Sequence, residues 1–199
     1  MKRKILLCGL GVIGSNVGYN LLAADSDLEL SAVDFDTVES RNLLAQTHSQ
    51  QFIGQNKTDA FMAEVYMRTG KMPKGSFIAG KVTAKDENLF KGFDLVIDTF
   101  DNYVSRDLVH KFSKKANNPV VHMGFGFLAD KPIGTVLWCD AYQSGKDDSN
   151  EIDVCELGQL TPWLKGATAI MTLNVLDFLN SGKRKNLFIN PDLSTKVLS

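Results

Sequence analysis

Short apolar runs alternate with segments of helical spacing along most of the chain. Residues 4–8 form a largely apolar run that is followed by a glycine, and residues 12–24 then place Ile13, Val17 and Leu21 on one side of a helical wheel. The first pattern is typical of a buried strand and the second of a helix with one buried face. A further strand is predicted over residues 29–33 and is followed by Asp34. These elements together predict a βαβ unit.

The same alternation continues towards the C-terminus. It predicts a short helical turn over residues 40–48. Helices are predicted over residues 57–68, 103–116 and 161–180, and strands over residues 76–80, 94–98, 119–123 and 134–139. The glycine-containing stretch 124–132 is expected to separate the last two strands. Residues 143–153 are polar and charged, which predicts a mobile surface loop, and residues 191–199 predict a weakly structured tail.

The order of these elements predicts the fold class. Strands that alternate with helices are typical of an α/β protein, so we predict a Rossmann-like, doubly wound, mainly parallel sheet with helices on both faces. The chain has 199 residues, of which 44% are hydrophobic, and a single domain over residues 1–199 is expected. Ligands of such sheets bind beyond the carboxyl ends of the strands, so functional residues should follow strands.

Charge and cysteine content narrow the classes of partner. The 22 basic and 23 acidic residues give a net charge of -1, so no nucleic acid and no membrane partner is indicated. The N-terminal apolar run is short and broken by glycines, unlike a signal peptide or a membrane span, and we expect a cytoplasmic protein. Cys8, Cys139 and Cys155 form no Cys-x-x-Cys pair, so a bound metal ion should have oxygen ligands.

A glycine-rich motif follows the first predicted strand. Gly9, Gly11 and Gly14 form Gly-x-Gly-x-x-Gly, which lets a backbone approach phosphate groups at the N-terminus of a helix. Asp34 follows Gly14 by about 20 residues, at the end of the second strand, where a carboxylate can bind ribose hydroxyls. These features predict a nucleotide site, and they also fit an NAD-dependent dehydrogenase.

Three further segments favour one of these alternatives. Residues 34–46 read DFDTVESRNLLAQ, residues 53–57 read IGQNK and residues 94–102 read DLVIDTFDN. In this order and at this spacing they resemble the motifs of the ThiF/MoeB/HesA family, relatives of the ubiquitin-activating enzymes. The resemblance covers about residues 4–180 and is that of a short member without the zinc-binding cysteine pairs.

The resemblance implies a site for ATP and magnesium. It implies that Asp34 holds the ribose, Asn42 and Gln46 line the triphosphate, and Lys57 neutralises phosphate charge. Asp101 is the implied magnesium ligand. The full implied set of nucleotide-binding residues is Gly9, Gly11, Gly14, Ser15, Asp34, Asp36, Asn42, Gln46, Lys57, Asp101 and Asn102. The alternatives are that Lys57 is an ordinary solvated lysine and that Asp101 with Asn102 only caps a helix.

The chain departs from the family pattern where an arginine is expected to contact phosphate. The residue before Gln46 is Ala45. Arg41 lies four residues earlier, and on a helix its guanidinium would point into the same space and replace the missing arginine. Many relatives also supply a second arginine from an N-terminal helix, whereas here Arg3 is the only arginine before the first strand. Loss of both arginines would indicate a non-catalytic scaffold.

Cys155 lies ahead of the last predicted helix, where sulfur-transferring relatives have a cysteine that links covalently to a carrier protein. A covalent role and an inert thiol are both open. The resemblance therefore implies an adenylyltransferase, in which Asp101, Lys57, Arg41 and Cys155 are the candidate catalytic residues. Its carboxylate substrate would be the C-terminus of a small ubiquitin-like carrier or a cofactor precursor, and a homodimer is expected. The alternatives are a scaffold without turnover and an NAD-dependent oxidoreductase.

Overall fold

The computed structural model describes residues 3–25, 27–143 and 158–198. Its strands are Lys4–Cys8 (β1), Glu29–Asp34 (β2), Phe77–Ala79 (β3), Leu95–Asp98 (β4), Val120–Leu128 (β5), Lys131–Trp138 (β6), Asn186–Ile189 (β7) and Thr195–Leu198 (β8). Its α-helices are Val12–Ala24 (α1), Lys57–Thr69 (α2), Tyr103–Lys115 (α3) and Thr161–Ser181 (α4). Short 3-10 helices cover Ser40–Asn42, Gln50–Phe52, Glu87–Phe90 and Gly158–Leu160.

The strands form one sheet with the order β3-β2-β1-β4-β5-β6-β7-β8. The pairs from β3 to β5 are parallel, and those from β5 to β8 are antiparallel. The chain therefore winds outward from β1 in both directions, and the carboxyl ends of β1, β2 and β4 meet at one edge. This arrangement confirms the predicted doubly wound, mainly parallel fold.

Both faces of the sheet are covered by helices. Alternate residues of β1 belong to different cores: Ile5 and Leu7 pack with α1, α2 and α4, whereas Leu6 and Cys8 pack with α3. Burial on both faces explains why the parallel strands appear as nearly continuous apolar runs in the sequence. Among the described helices, none is long and apolar enough to cross a membrane.

Two sequence predictions about the C-terminal half are wrong. Residues 124–128 do not separate strands but extend β5, and a turn at Ala129 and Asp130, with φ of 48° and 59°, leads directly into β6. Positive φ at both turn positions is usual for a two-residue hairpin, but the sequence of such a turn normally contains a glycine, often after asparagine or aspartate. This turn has none, and the sequence therefore did not indicate it. The tail is also structured, because β8 pairs with β7 at the sheet edge. Apart from Gln143, the predicted loop 143–153 lies outside the described residues.

Candidate nucleotide site

The glycine motif forms the turn between β1 and α1, at the carboxyl edge of the sheet. Gly9 has a φ of 94°, and its carbonyl accepts a hydrogen bond from the Thr99 hydroxyl at 3.0 Å. The Thr99 amide also donates to the Cys8 carbonyl at 2.9 Å. Gly11 is the N-cap of α1 and supplies no side-chain acceptor, so the cap leaves the first amides of this helix available to a ligand.

Asp34 stabilises this turn from inside. Its Oδ2 atom accepts a hydrogen bond from the Leu10 amide at 2.5 Å, and its Oδ1 atom accepts one from the Asp36 amide at 2.8 Å. Burial raises the pKa of Asp34, while nearby Lys57 and the two backbone hydrogen bonds oppose that rise. Asp34 therefore fixes the glycine turn, and its contact with a ribose remains a prediction.

A concave pocket of about 320 Å³ lies beside the turn. Its lining comprises Phe35, Asp36, Thr37, Glu39, Arg41, Asn42 and Lys57. The size lies at the lower end of the range usual for small-molecule sites. Three predicted nucleotide-binding residues, Asp36, Asn42 and Lys57, and the candidate Arg41 are thus brought together. Sequence reasoning overlooked Phe35, although its position between two predicted site aspartates was an available signal; its ring is half-exposed.

Lys57 is not an ordinary solvated lysine. It begins α2, its side chain is only 8% exposed, and its Nζ atom lies 2.9 Å from Asp36 Oδ2. Its amide donates to the Asp36 carbonyl at 2.9 Å, so backbone and side chain both hold it against the end of β2. A buried ammonium that opens onto a pocket is a suitable contact for an anionic ligand.

Residues 42–48 pack over the first turns of α1. Asn16 donates from Nδ2 to the Ala45 carbonyl at 2.8 Å, and Ser15 Oγ accepts a hydrogen bond from the Thr47 amide at 3.2 Å. Ser15 therefore holds this segment in place, and a nucleotide contact by Ser15 remains a prediction. Gln46 is buried beside Ala45. The segment thus joins the pocket to the glycine turn.

His48 ends this segment in a buried position. Its Nε2 atom lies 3.2 Å from the Leu10 carbonyl. Burial, with a contribution from Lys57, lowers its pKa to about 4. In the unfolded chain the imidazole of His48 takes up a proton near pH 6.5, whereas in the folded protein it does so only near pH 4. The stability that neutral His48 contributes is therefore fully present above pH 6.5 and is lost as the pH falls towards 4.

Replacement of His48 is expected to flatten the pH dependence of stability. The His48→Gln variant keeps an amide that can donate to the Leu10 carbonyl but has no titrating ring. Between pH 6.5 and 4, the wild type should lose about 3 kcal/mol more unfolding free energy than the variant. Urea titrations at several pH values would measure this difference. Parallel pH profiles of the two proteins would show that His48 is not buried in a neutral form.

Asp101 and Asn102 follow β4 at the same edge of the sheet. Cys8 and Asp98 are register partners, so residues 99–102 leave the sheet beside the glycine turn. Asn102 is the N-cap of α3 and accepts a hydrogen bond from the Ser105 amide at 2.9 Å. Asp101 is exposed and does not make this cap. Of the two residues, only Asn102 caps the helix, so the capping alternative does not explain the presence of Asp101.

The residues present fit a magnesium ion that is bound together with phosphate. Within the described part of the chain, no group of three or more histidine, cysteine, aspartate or glutamate side chains could hold a metal. Magnesium in nucleotide sites is usually bound by one or two carboxylates, phosphate oxygens and water, and needs no larger protein cluster. The exposed carboxylate of Asp101 provides the hard oxygen ligand that such a site requires.

A buried polar network lies below Asp101. The fully buried Asp98 contacts His122 Nδ1 at 2.7 Å and Arg106 Nε at 3.3 Å. His122 Nε2 lies 3.2 Å from His110 Nδ1, and the Tyr142 ring stacks on His122 with a centroid distance of 3.6 Å. His122 is thus held on both ring nitrogens within a structural network. The network fixes the start of α3 and therefore the backbone that carries Asp101.

The expected helical relation between Arg41 and Ala45 is wrong. The helix that contains Arg41 is a short 3-10 helix that ends at Asn42. Ala45 is buried in the core, whereas Arg41 is exposed and its Nε atom lies 2.7 Å from Glu39 Oε2. Arg41 still lines the pocket, so a phosphate contact by Arg41 stays a prediction. Arg3 lies at the opposite edge of the sheet and donates to the Leu179 carbonyl. Cys155 lies outside the described residues.

Known proteins resemble this chain in sequence and in fold. The ThiF family model matches residues 1–195. The adenylyltransferase and sulfurtransferase uba4 of Emericella nidulans is 31% identical over 122 residues, which are 59% of this chain and 24% of uba4. The SUMO-activating enzyme subunit uba-2 of Caenorhabditis elegans is 26% identical over 129 residues, which are 63% of this chain and 22% of uba-2.

Solved structures share the fold. Escherichia coli MccB in complex with MccA-N7isoASN has a TM-score of 0.76 at 21% identity, and the match covers 99% of this chain and 64% of MccB. MccB with ATP has a TM-score of 0.74 at 21% identity, covering 99% of this chain and 63% of MccB. This chain therefore spans about a quarter of these curated relatives and somewhat less than two thirds of MccB.

Proposed function

The chain belongs to the ThiF family, and from this premise we propose that it is an adenylyltransferase that joins ATP to a carboxylate. The observation that carries the proposal is the placement of Lys57. Its ammonium is buried at the wall of a pocket, next to the glycine turn and to Asn42. Such a cation suits a triphosphate, whereas hydride transfer to NAD has no role for it.

The proposed reaction needs charge stabilisation more than proton transfer. A carboxylate oxygen of the substrate attacks the α-phosphorus of ATP, and a new bond forms between this oxygen and the phosphorus. The bond from the α-phosphorus to the bridging oxygen of the β-phosphate breaks, and pyrophosphate leaves with that electron pair. Two anions must therefore meet while negative charge builds up on the leaving group. Fixed cations and amide donors lower the barrier to such a step.

Each described site residue has a place in this scheme. The first amides of α1, after Gly11, bind phosphate oxygens. Gly9 and Gly14 allow the turn to pack tightly on itself and on Thr99, and this packing places those amides. Lys57 and Arg41 neutralise phosphate charge from the pocket. Asn42 and Gln46 line the triphosphate, and Asp36 or Asp34 accepts from the ribose hydroxyls. Asn102 orients the loop that presents Asp101.

Magnesium is the proposed metal, and Asp101 is its proposed protein ligand. When bound, it neutralises phosphate charge and assists the departure of pyrophosphate. The proposed carboxylate substrate is the C-terminus of a small ubiquitin-like carrier or a small-molecule precursor, and the match to a SUMO-activating enzyme subunit supports the first of these. We further propose a cytoplasmic homodimer and leave Cys155 as the candidate for later covalent transfer.

One observation favours a second function, that of a scaffold without turnover. Ala45 stands where the family carries an arginine, and the pocket's lysine and arginine each face a carboxylate, Asp36 and Glu39 respectively. The pocket side chains alone thus bring no net positive charge to a triphosphate. Binding of ATP without pyrophosphate exchange would support the scaffold.

Ligand-dependent melting tests the proposed ATP site. Saturating Mg-ATP should raise the melting temperature of the wild type, since a ligand at 100 times its Kd adds about 2.7 kcal/mol. NAD at the same concentration should have no effect. The Lys57→Met variant, which keeps a buried aliphatic chain, should lose most of the shift. A shift with NAD alone, or an equal ATP shift in the variant, would contradict the proposed site.

A further inference from the structure

A second lysine lies next to the position of the missing arginine. Lys165 belongs to the first turns of α4, and its Nζ atom donates to Asn16 Oδ1 at 2.7 Å. The same Nζ atom lies 3.5 Å from the carbonyl oxygen of Gln46. Asn16 in turn donates to the carbonyls of Val12 and Ala45. The ammonium is thus held between the first turns of α1 and the backbone of residues 45 and 46.

The surroundings of Lys165 differ from those of the pocket cations. Lys57 and Arg41 each lie within 2.9 Å of a carboxylate oxygen. In the ranges 3–25, 27–143 and 158–198, Lys165 has no carboxylate partner within salt-bridge distance, and the contacts of its Nζ atom are to neutral oxygens. Burial, together with the charge of Arg68, lowers the pKa of Lys165. A half-buried cation whose described contacts are to neutral oxygens gains more from an incoming anion than one that is already paired with a carboxylate.

The local packing shows how a cation can reach this place without an arginine at position 45. Ala45 is 1% exposed and belongs to the core cluster that α1 and α4 share. The start of α4 packs on this segment, since a Cβ atom at Gly158 would lie 3.4 Å from Leu44. A cation that reaches the first turns of α1 can therefore come from α4 instead of from position 45. The flexible stem of lysine lets the ammonium move towards a phosphate while it keeps one neutral contact.

We propose that Lys165 binds the phosphate groups of ATP in place of the arginine that the family carries at position 45. This inference rests on the proposed adenylyltransferase function and adds a residue to the same site. Lys165 does not replace Arg41 as a pocket residue, because the two approach from different elements. Arg41 comes from the segment after β2, whereas Lys165 comes from α4. The two assignments therefore predict different mutant phenotypes.

Affinities for ATP and for adenosine test the assignment. Lys165→Met removes the charge and keeps most of the apolar stem, and it should weaken Mg-ATP binding on the order of 10-fold, as expected for one charge-assisted contact. Adenosine, measured by competition, should bind unchanged because it has no phosphate. Lys165→Arg should restore ATP affinity. Lys111→Met, which removes an exposed lysine from α3, is the matched control and should bind both ligands like the wild type.

Each other outcome overturns the assignment. If Lys165→Met weakens ATP and adenosine equally, or if arginine does not rescue it, Lys165 only ties α4 to α1. If Lys165→Met binds ATP like the wild type while Arg41→Met loses affinity, the compensating cation is Arg41. If the wild type itself fails to bind Mg-ATP, the proposed function fails and Lys165 with it. Wild-type binding thus separates failure of the function from failure of this residue.

Discussion

Gly14→Ala should destabilise the protein and abolish nucleotide binding. A Cβ atom at Gly14 would lie 2.0 Å from the Gly9 carbonyl oxygen and 2.7 Å from Thr99 Oγ1. Both contacts involve the turn that Asp34 and Thr99 already hold, so the backbone has to shift. We expect a loss of unfolding free energy of about 3 kcal/mol, at the upper end of the overpacking range. Denaturant titration measures it.

Gly11→Ala provides the matched control within the same motif. Gly11 has a φ of -71°, which alanine adopts freely, and a Cβ atom there would have no neighbour within 4 Å. Stability should therefore change by less than about 1 kcal/mol. The open space faces the N-terminus of α1, where we place the phosphates, so ATP affinity should still fall. Equal stability losses in the two variants would show that close packing at Gly14 is not what the motif requires.

Local sequence signals predicted much of the sheet. β1, α1, β2, α2, β4 and α3 follow the predicted ranges closely, because each is bounded by its own glycine, asparagine or aspartate. Asn56 and Asn102 both cap helices, which explains why IGQNK and the DN pair mark helix starts. The β5-β6 turn was missed because alanine is unusual at the first positive-φ position, Ala129, and because no glycine accompanies Asp130.

In the site, too, residues in local motifs could be predicted from the sequence, whereas a residue brought in by long-range packing could not. That Asp36, Asn42 and Lys57 belong to one site could be predicted because they lie in two short motifs that resemble those of the family, and all three line the same pocket. Lys165 could not be predicted, because only the packing of α4 on α1 brings its ammonium to Asn16. Arg41 was misplaced for a local reason, since a 3-10 helix that ends at Asn42 does not keep the spacing of an α-helix.

The second large effect concerns Asp101, which we expect to be needed for the reaction and not for the fold. Asp101 is exposed, and the N-cap of α3 is made by Asn102. Asp101→Asn should therefore leave the melting temperature unchanged. If Asp101 binds the magnesium that accompanies the triphosphate, its loss removes one electrostatic stabiliser of the transition state. Such losses slow reactions on the order of 10²-fold.

Two measurements separate a metal ligand from a surface carboxylate. Pyrophosphate exchange, with the wild type and its carboxylate substrate as reference, should slow about 10²-fold in Asp101→Asn. In the absence of any carboxylate substrate, magnesium should strengthen ATP binding to the wild type more than to the variant, whereas ATP in EDTA should bind both equally. Asp107→Asn removes the same charge from α3 and should behave like the wild type in both assays. If magnesium strengthens ATP binding equally in all three proteins, the protein ligand of the metal is not Asp101.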